Sequence, residues 1–266
     1  MQTLRHTLRA GLAAAAVLGT GLAWSAPLIT QWDYIATSVF ETSAGSTTFT
    51  AGGGCQYVTS AQISWGAGSP GCTTGPGTGR SGIGISNSPI GGMITTNGGA
   101  QPANTYTHAN NVVSAANASL TKATLTSTLQ LREAGSGDPY QSFSATYTIL
   151  FSETPNATPC LVASPTPCND IWVLQGSVNN GFMFDGNTYY ASYYAAPALL
   201  PLPGPACLAV SASTPCVGFT TQEGMDNLVA FALQITAQPL EIPEPSSLAL
   251  LGLGLLGVAG LRRRRS

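Results

Sequence analysis

Ala123-Thr-Leu-Thr-Ser-Thr-Leu-Gln-Leu-Arg132 alternates apolar or small residues with polar ones along almost its whole length. Ala123, Leu125, Leu129 and Leu131 fall on one face, and Thr124, Thr126, Thr128, Gln130 and Arg132 on the other. Successive side chains of a strand point to opposite sides of a sheet, so a period of two marks a strand buried on one face. Phe143, Ala145, Tyr147, Ile149 and Phe151 repeat the pattern, as do Val229, Phe231, Leu233 and Ile235. Trp32 to Phe40, Phe49, Tyr57 to Trp65, Ile171 to Val178 and Tyr189 to Tyr194 add strand candidates, some with the continuous apolar runs of a sandwich interior. Asp185-Gly186, between Phe182-Met-Phe184 and Tyr189-Tyr190, is a tight hairpin turn. The predicted fold is all-β: a jelly-roll-like β-sandwich formed by residues 27–240, long enough to bury one sizeable core.

Gly/Pro-rich stretches from Gly66 to Gly84, Pro155 to Pro167 and Pro197 to Pro215 read as surface loops. Each contains or borders two of the six cysteines, Cys55, Cys72, Cys160, Cys168, Cys207 and Cys216. The spacing favours local disulfides, Cys55 with Cys72, Cys160 with Cys168 and Cys207 with Cys216. Such bridges restrict the unfolded chain where a loop has too few apolar residues to fix itself. A zinc site would need a tight Cys-x-x-Cys pair or nearby histidines, and neither pattern occurs.

The two ends carry signals of a different kind. Arg5 and Arg9 precede the apolar segment Ala10 to Leu22, and small residues follow at Ala23 and Ser25, which is the layout of a secretory signal peptide over residues 1–25. Cleavage after Ala23 or after Ser25 satisfies the small-residue rule equally well. At the other end Pro243-Glu244-Pro245 is followed by an apolar run to Leu261 and then by Arg262, Arg263, Arg264 and Arg265. A spanning helix usually needs about 20 apolar residues. The run, about 246–261, is shorter, but flanking serines and snorkelling arginines extend its reach. The arginines stay on the cytoplasmic side, leaving the preceding chain outside. This tail, residues 241–266, resembles the PEP-CTERM sorting signal of bacterial surface proteins. The resemblance implies recognition by an exosortase, a membrane-embedded cysteine transpeptidase-like enzyme, in organisms that make exopolysaccharide.

The chain's formal net charge is −2. Without its ends, Arg80, Lys122 and Arg132 stand against nine carboxylates, a formal charge of −6. An acidic surface with three scattered cations has no grip on a phosphate backbone, so nucleic-acid binding is excluded. Gly66-Ala-Gly-Ser-Pro-Gly71 matches a dinucleotide-binding pattern, but Pro70 and the lack of a following helix remove the phosphate-binding geometry. A second match at Gly252 to Gly257 lies inside the apolar tail. No Gly-x-Ser-x-Gly elbow occurs. Asp185-Gly186-Asn187 lacks the spaced oxygen ligands of a calcium loop. No cofactor and no metal are expected. Asn117-Ala-Ser119 and Asn156-Ala-Thr158 fit the glycan acceptor pattern, which arises often by chance in a Thr-rich chain.

Outside the signal peptide the histidine is His108, in Thr107-His108-Ala109-Asn110. It is read as a structural hydrogen-bonder between strands, with a catalytic or ligand role as the alternative. Carboxylates alone can build a glycosidase, yet the sequence brings no two of them to the required separation. The tetrapeptide resembles the signature of the THxN family of PEP-CTERM proteins. The likeness continues through Gln31-Trp-Asp-Tyr34, Ser64-Trp-Gly66, Glu153-Thr-Pro-Asn156, Cys160 to Cys168-Asn-Asp170-Ile, Phe184-Asp-Gly186 and Gly218-Phe-Thr-Thr-Gln-Glu223. The pair Cys55 and Cys72 departs from that pattern.

Two functions compete. The first is a non-enzymatic surface or matrix protein, sorted by an exosortase, held transiently by its C-terminal helix and associated with exopolysaccharide. The second is a carbohydrate-binding module or polysaccharide-acting enzyme, in which Trp65, Trp172, Tyr189, Tyr193 and Tyr194 stack on sugar rings. Core packing of those aromatics would favour the first.

Overall fold

The alternation around Leu129 forms the longest strand, and side-chain burial follows it residue by residue, from Ala123 and Leu125 through Ser127 to Leu129 and Leu131. A computed structural model describes residues 26–239 apart from 70, 71, 74, 165 and 166. The predicted signal peptide, Pro243-Glu244-Pro245, the predicted apolar helix about 246–261 and Arg262 to Arg265 lie outside the described residues.

In chain order the strands are β1 (Gln31–Phe40), β2 (Thr47–Phe49), β3 (Cys55–Val58), β4 (Gln62–Gly66), β5 (Arg80–Ile85), β6 (Ile90–Thr95), β7 (Gln101–Asn110), β8 (Leu120–Glu133), β9 (Gln141–Ser152), β10 (Asp170–Gln175), β11 (Asn179–Phe184), β12 (Asn187–Ala196) and β13 (Leu200–Leu202). The short helix α1 (Gly204–Ala209) follows, then β14 (Cys216–Thr221) and β15 (Met225–Thr236). One sheet runs β13-β14-β10-β9-β8-β1-β6, with β2 also paired to β8, and the other runs β11-β12-β15-β7-β5-β4-β3. Neighbouring strands are antiparallel throughout, for example β8 with β9 and β7 with β15.

The inner faces of the two sheets meet in shared clusters. Trp32 of β1 packs edge-on against Phe184 and Tyr189 of the partner sheet, each at 4.9 Å between ring centroids. Towards the other end, Phe40, Phe151 and Trp172 of one sheet meet Ile63 and Trp65 of the other. Polar groups tie the layers as well, since the Tyr34 hydroxyl donates to the Pro102 carbonyl at 2.7 Å and Ser38 donates to Asn104 Oδ1 at 2.8 Å.

The continuous apolar run at Ile171-Trp-Val173 is buried on both faces of its strand. Trp172 faces the partner sheet, while Ile171 and Val173 join Val162, Ala206, Cys207 and Val210 in a third cluster under α1. The Cys207–Cys216 disulfide fastens α1 to β14, beside β10. All three pairings read from the spacing are present, with Cα separations of 5.4 Å for Cys55–Cys72, 5.4 Å for Cys160–Cys168 and 5.8 Å for Cys207–Cys216. The Asp185-Gly186 hairpin is also present, with both residues at positive φ and Phe184 opposite Asn187.

Two loop readings change. The end of the Gly66 to Gly84 stretch is strand β5, because its glycine-richness serves close approach: a Cβ on Gly82 would lie 2.7 Å from the Ile63 carbonyl oxygen and 2.9 Å from Ser64 Cβ. The Pro197 to Pro215 stretch holds β13 and α1, with Pro205 in the first turn, where its missing N–H costs nothing.

On the sheet's outer side, Arg132 Nε donates to Asp33 Oδ2 at 2.9 Å across β8 and β1, with both side chains partly exposed. Water weakens such a pair. Asp33→Asn is expected to cost about 0.5 kcal/mol in urea unfolding, less at high salt.

Candidate functional site

Strand β7 lies in the middle of its sheet, between β5 and β15, and its alternation aims Tyr106, His108 and Asn110 inward. Thr107 takes the opposite face, half-buried, opposite Gly84 and Leu228. The Thr107-His108-Ala109-Asn110 motif is therefore divided by the pleat: two members enter the sandwich and Thr107 does not.

His108 sits in an aromatic box. Its ring is stacked on Trp65 at 5.8 Å and meets Phe151 and Trp172 edge-on at 5.5 and 4.8 Å. Burial pushes its pKa down to about 3, so the ring is neutral across ordinary pH. Nδ1 lies 3.0 Å from Thr221 Oγ1, which also accepts from Trp172 Nε1 at 3.0 Å. Because indole can only donate, the Thr221 hydroxyl joins a β7 side chain to a β10 side chain and so couples the two sheets. His108 Nε2 is buried without a partner.

Next to this box, three carboxylates that are distant in sequence converge. Glu153 follows β9, Asp170 opens β10, and Glu223 lies in the turn between β14 and β15, with one oxygen from each lying within 4.8 Å of the others. Among the described residues this is the group that could hold a metal. Trp65 Nε1 donates to Glu153 Oε2 at 3.0 Å, and the Thr154 amide donates to Asp170 Oδ1 at 2.8 Å. Asn110 Nδ2 donates to the Thr221 carbonyl at 3.3 Å, and its backbone carbonyl accepts from the Gly224 amide at 2.8 Å. That backbone bond fixes the Glu223 turn to the end of β7.

The electrostatics are unfavourable for three anions. Burial is the first cause that raises Asp170, with Glu153 and Glu223 raising it further against the Thr154 hydrogen bond and the nearby Asn110 amide. Burial also raises Glu153, the Trp65 hydrogen bond eases the shift, and the negative charge of Glu223 adds to it. Glu223 is raised by burial and eased by the Asn110 and Asn156 amides, which lie against it without a hydrogen bond of regular geometry. Among the described residues the ion pair joins Asp33 to Arg132, and none reaches these carboxylates.

The sequence did not bring these three together. Each stands in a short segment quoted above for the THxN likeness, Glu153-Thr-Pro-Asn156, Cys168-Asn-Asp170 and Gly218 to Glu223, which is where a signal lay. As for the aromatics, Trp65, Trp172 and Tyr189 are buried core residues, Tyr193 is half-buried, and Tyr194 is 44% exposed.

The class these observations define is an all-β, disulfide-stapled module of two facing sheets with an acidic, buried centre at one end. Residues 241–265 match the family described as the PEP-CTERM protein-sorting motif. The motif implies export, processing by exosortase, a membrane enzyme, and membrane-associated sorting to the surface. A comparison with curated proteins gave no match.

Proposed function

We propose that the chain is a non-enzymatic surface protein of the THxN kind, delivered by the exosortase route to an exopolysaccharide layer. The observation that carries this reading is the sorting motif at residues 241–265. A signal peptide over residues 1–25 starts export, the helix about 246–261 holds the protein in the membrane, and Arg262 to Arg265 stop transfer until the tail is processed.

Several features support a role without catalysis. A histidine neutral down to about pH 3 is a weak general base. Asp170 is fully enclosed and Glu223 nearly so, which keeps both from the face of a sugar ring that a glycosidase carboxylate must reach. Trp65, Trp172 and Tyr189 spend their faces on packing.

The carbohydrate-binding reading rests on one feature. A groove of about 260 Å³ between β8–β9 and β11–β12 is lined by Phe143, Ser144, Asn180, Phe182 and Tyr193, among others, which sets aromatic side chains beside polar ones.

The test compares cells with and without exosortase. With the enzyme, the protein is expected outside the inner membrane and lighter by its tail; without it, full-length protein stays in the membrane. Full-length protein in the cytoplasm of both strains would overturn the proposal. Glycan-array binding decides the second reading, with Tyr193→Ala reducing any signal that the groove produces.

A further inference from the structure

The buried end of the sandwich collects oxygen atoms that nothing satisfies. Glu153 Oε1, Asp170 Oδ2, both carboxylate oxygens of Glu223, Asn110 Oδ1 and Asn156 Oδ1 are all buried without a hydrogen-bond partner. Asp170 is 0% exposed, Asn110 1% and Glu223 7%, while Glu153 and Asn156 are half-buried. Each such atom costs about 1–3 kcal/mol when left unpaired. Six together, around three carboxylates whose oxygens lie within 4.8 Å of one another, amount to more than a fold is expected to carry.

A shared proton does not remove this cost. One proton shared between two carboxyls is a single donor that pairs two of the six atoms and leaves four acceptors. The Asn110 amide gives its nitrogen to the Thr221 carbonyl, which leaves Oδ1 an acceptor. That side chain is not an acidic group, yet it lies against both Asp170 and Glu223. A single cation would pair with the three carboxylates that converge here.

We propose that Glu153, Asp170 and Glu223, with the Asn110 and Asn156 side chains against them, form a calcium site. The donors are all oxygen, which excludes preference for zinc or copper, and they are numerous and irregularly placed, which suits calcium's six to eight ligands better than the strict octahedron of magnesium. Glu153 and Asn156, both half-buried, stand on the solvent side of the group. The ion would join the end of β7, the loop after β9, the start of β10 and the turn before β15, clamping the two sheets at the place where Thr221 already links them. Such a clamp suits an exported protein, which meets far more calcium outside the cytoplasm than within it. The inference does not depend on the sorting route or on polysaccharide binding.

The full chain, purified in detergent and stripped with a chelator, is titrated with calcium chloride and separately with terbium. At about 100 times Kd, calcium is expected to raise Tm by about 5–10 °C. Terbium is expected to luminesce on tryptophan excitation, because the Trp65 indole is hydrogen-bonded to Glu153, and calcium should quench that signal by displacement. Glu223→Gln should abolish both responses. Asp185→Asn, a change at the exposed hairpin turn, should leave both intact. A folded wild-type protein with neither response overturns the site, as does a response that survives Glu223→Gln.

Discussion

Trp172→Ala is expected to destabilise the protein by about 4 kcal/mol, measured as a lower midpoint of unfolding in urea at unchanged slope. Trp172 is 2% exposed and touches Phe151 at 4.4 Å and His108 at 4.8 Å, so truncation leaves a cavity in the cluster shared by both sheets. Deleting a core tryptophan generally costs about 3–5 kcal/mol. The indole also donates to Thr221, the hydroxyl that reaches His108. Trp172→Phe keeps most of the volume and loses the donor, and should cost about 1–2 kcal/mol. Equal costs for the two variants would show that the hydrogen bond, and not the packing, sets the value.

Acid is expected to unfold the protein partly through His108. Its pKa is about 3 when folded, against about 6.5 for an exposed imidazole. Between those values the unfolded chain binds a proton that the folded one refuses, so stability is complete above about pH 6.5 and falls as pH drops towards 3. The loss from this group is about 2 kcal/mol at pH 5 and about 3 kcal/mol at pH 4. The carboxylates Glu153, Asp170 and Glu223 act in the other direction, since a raised folded pKa makes the metal-free fold bind more protons than the unfolded chain above about pH 4. The difference between wild type and His108→Asn therefore isolates the imidazole. Wild type should lose about 3 kcal/mol relative to His108→Asn between pH 7 and 4, and a flat difference over that range would contradict the burial of His108 as its cause.

How much of this was written in the sequence depends on what each strand buries. β8, β9 and β15 bury apolar faces, and a period of two reveals them directly. β7 buries Asn104, His108 and Asn110, so its inward face is polar and its pattern offers no apolar stripe, although it lies in the middle of its sheet. β10 is covered on both sides, by His108 of the facing sheet against Trp172 on one and by the α1 cluster on the other, which turns alternation into a continuous run. Gly82 in β5 looks like loop chemistry and is instead there for close backbone approach.

The disulfides were legible because each closes a local loop, and local pairs can be read from spacing. The carboxylate centre could not be read in that way. Glu153, Asp170 and Glu223 meet because β9, β10 and β14 are neighbours in one sheet, and β7 closes the site from the other. Their convergence is a property of strand order and register. The tail is the opposite case, as its three blocks act in sequence order and need no fold to be recognised.

A crystal structure of the protein grown with calcium tests the central claim most directly. One ion is predicted at about 2.3–2.6 Å from oxygens of Glu153, Asp170 and Glu223. Three carboxyl groups hydrogen-bonded to ordered water at saturating calcium, with no ion among them, would contradict it.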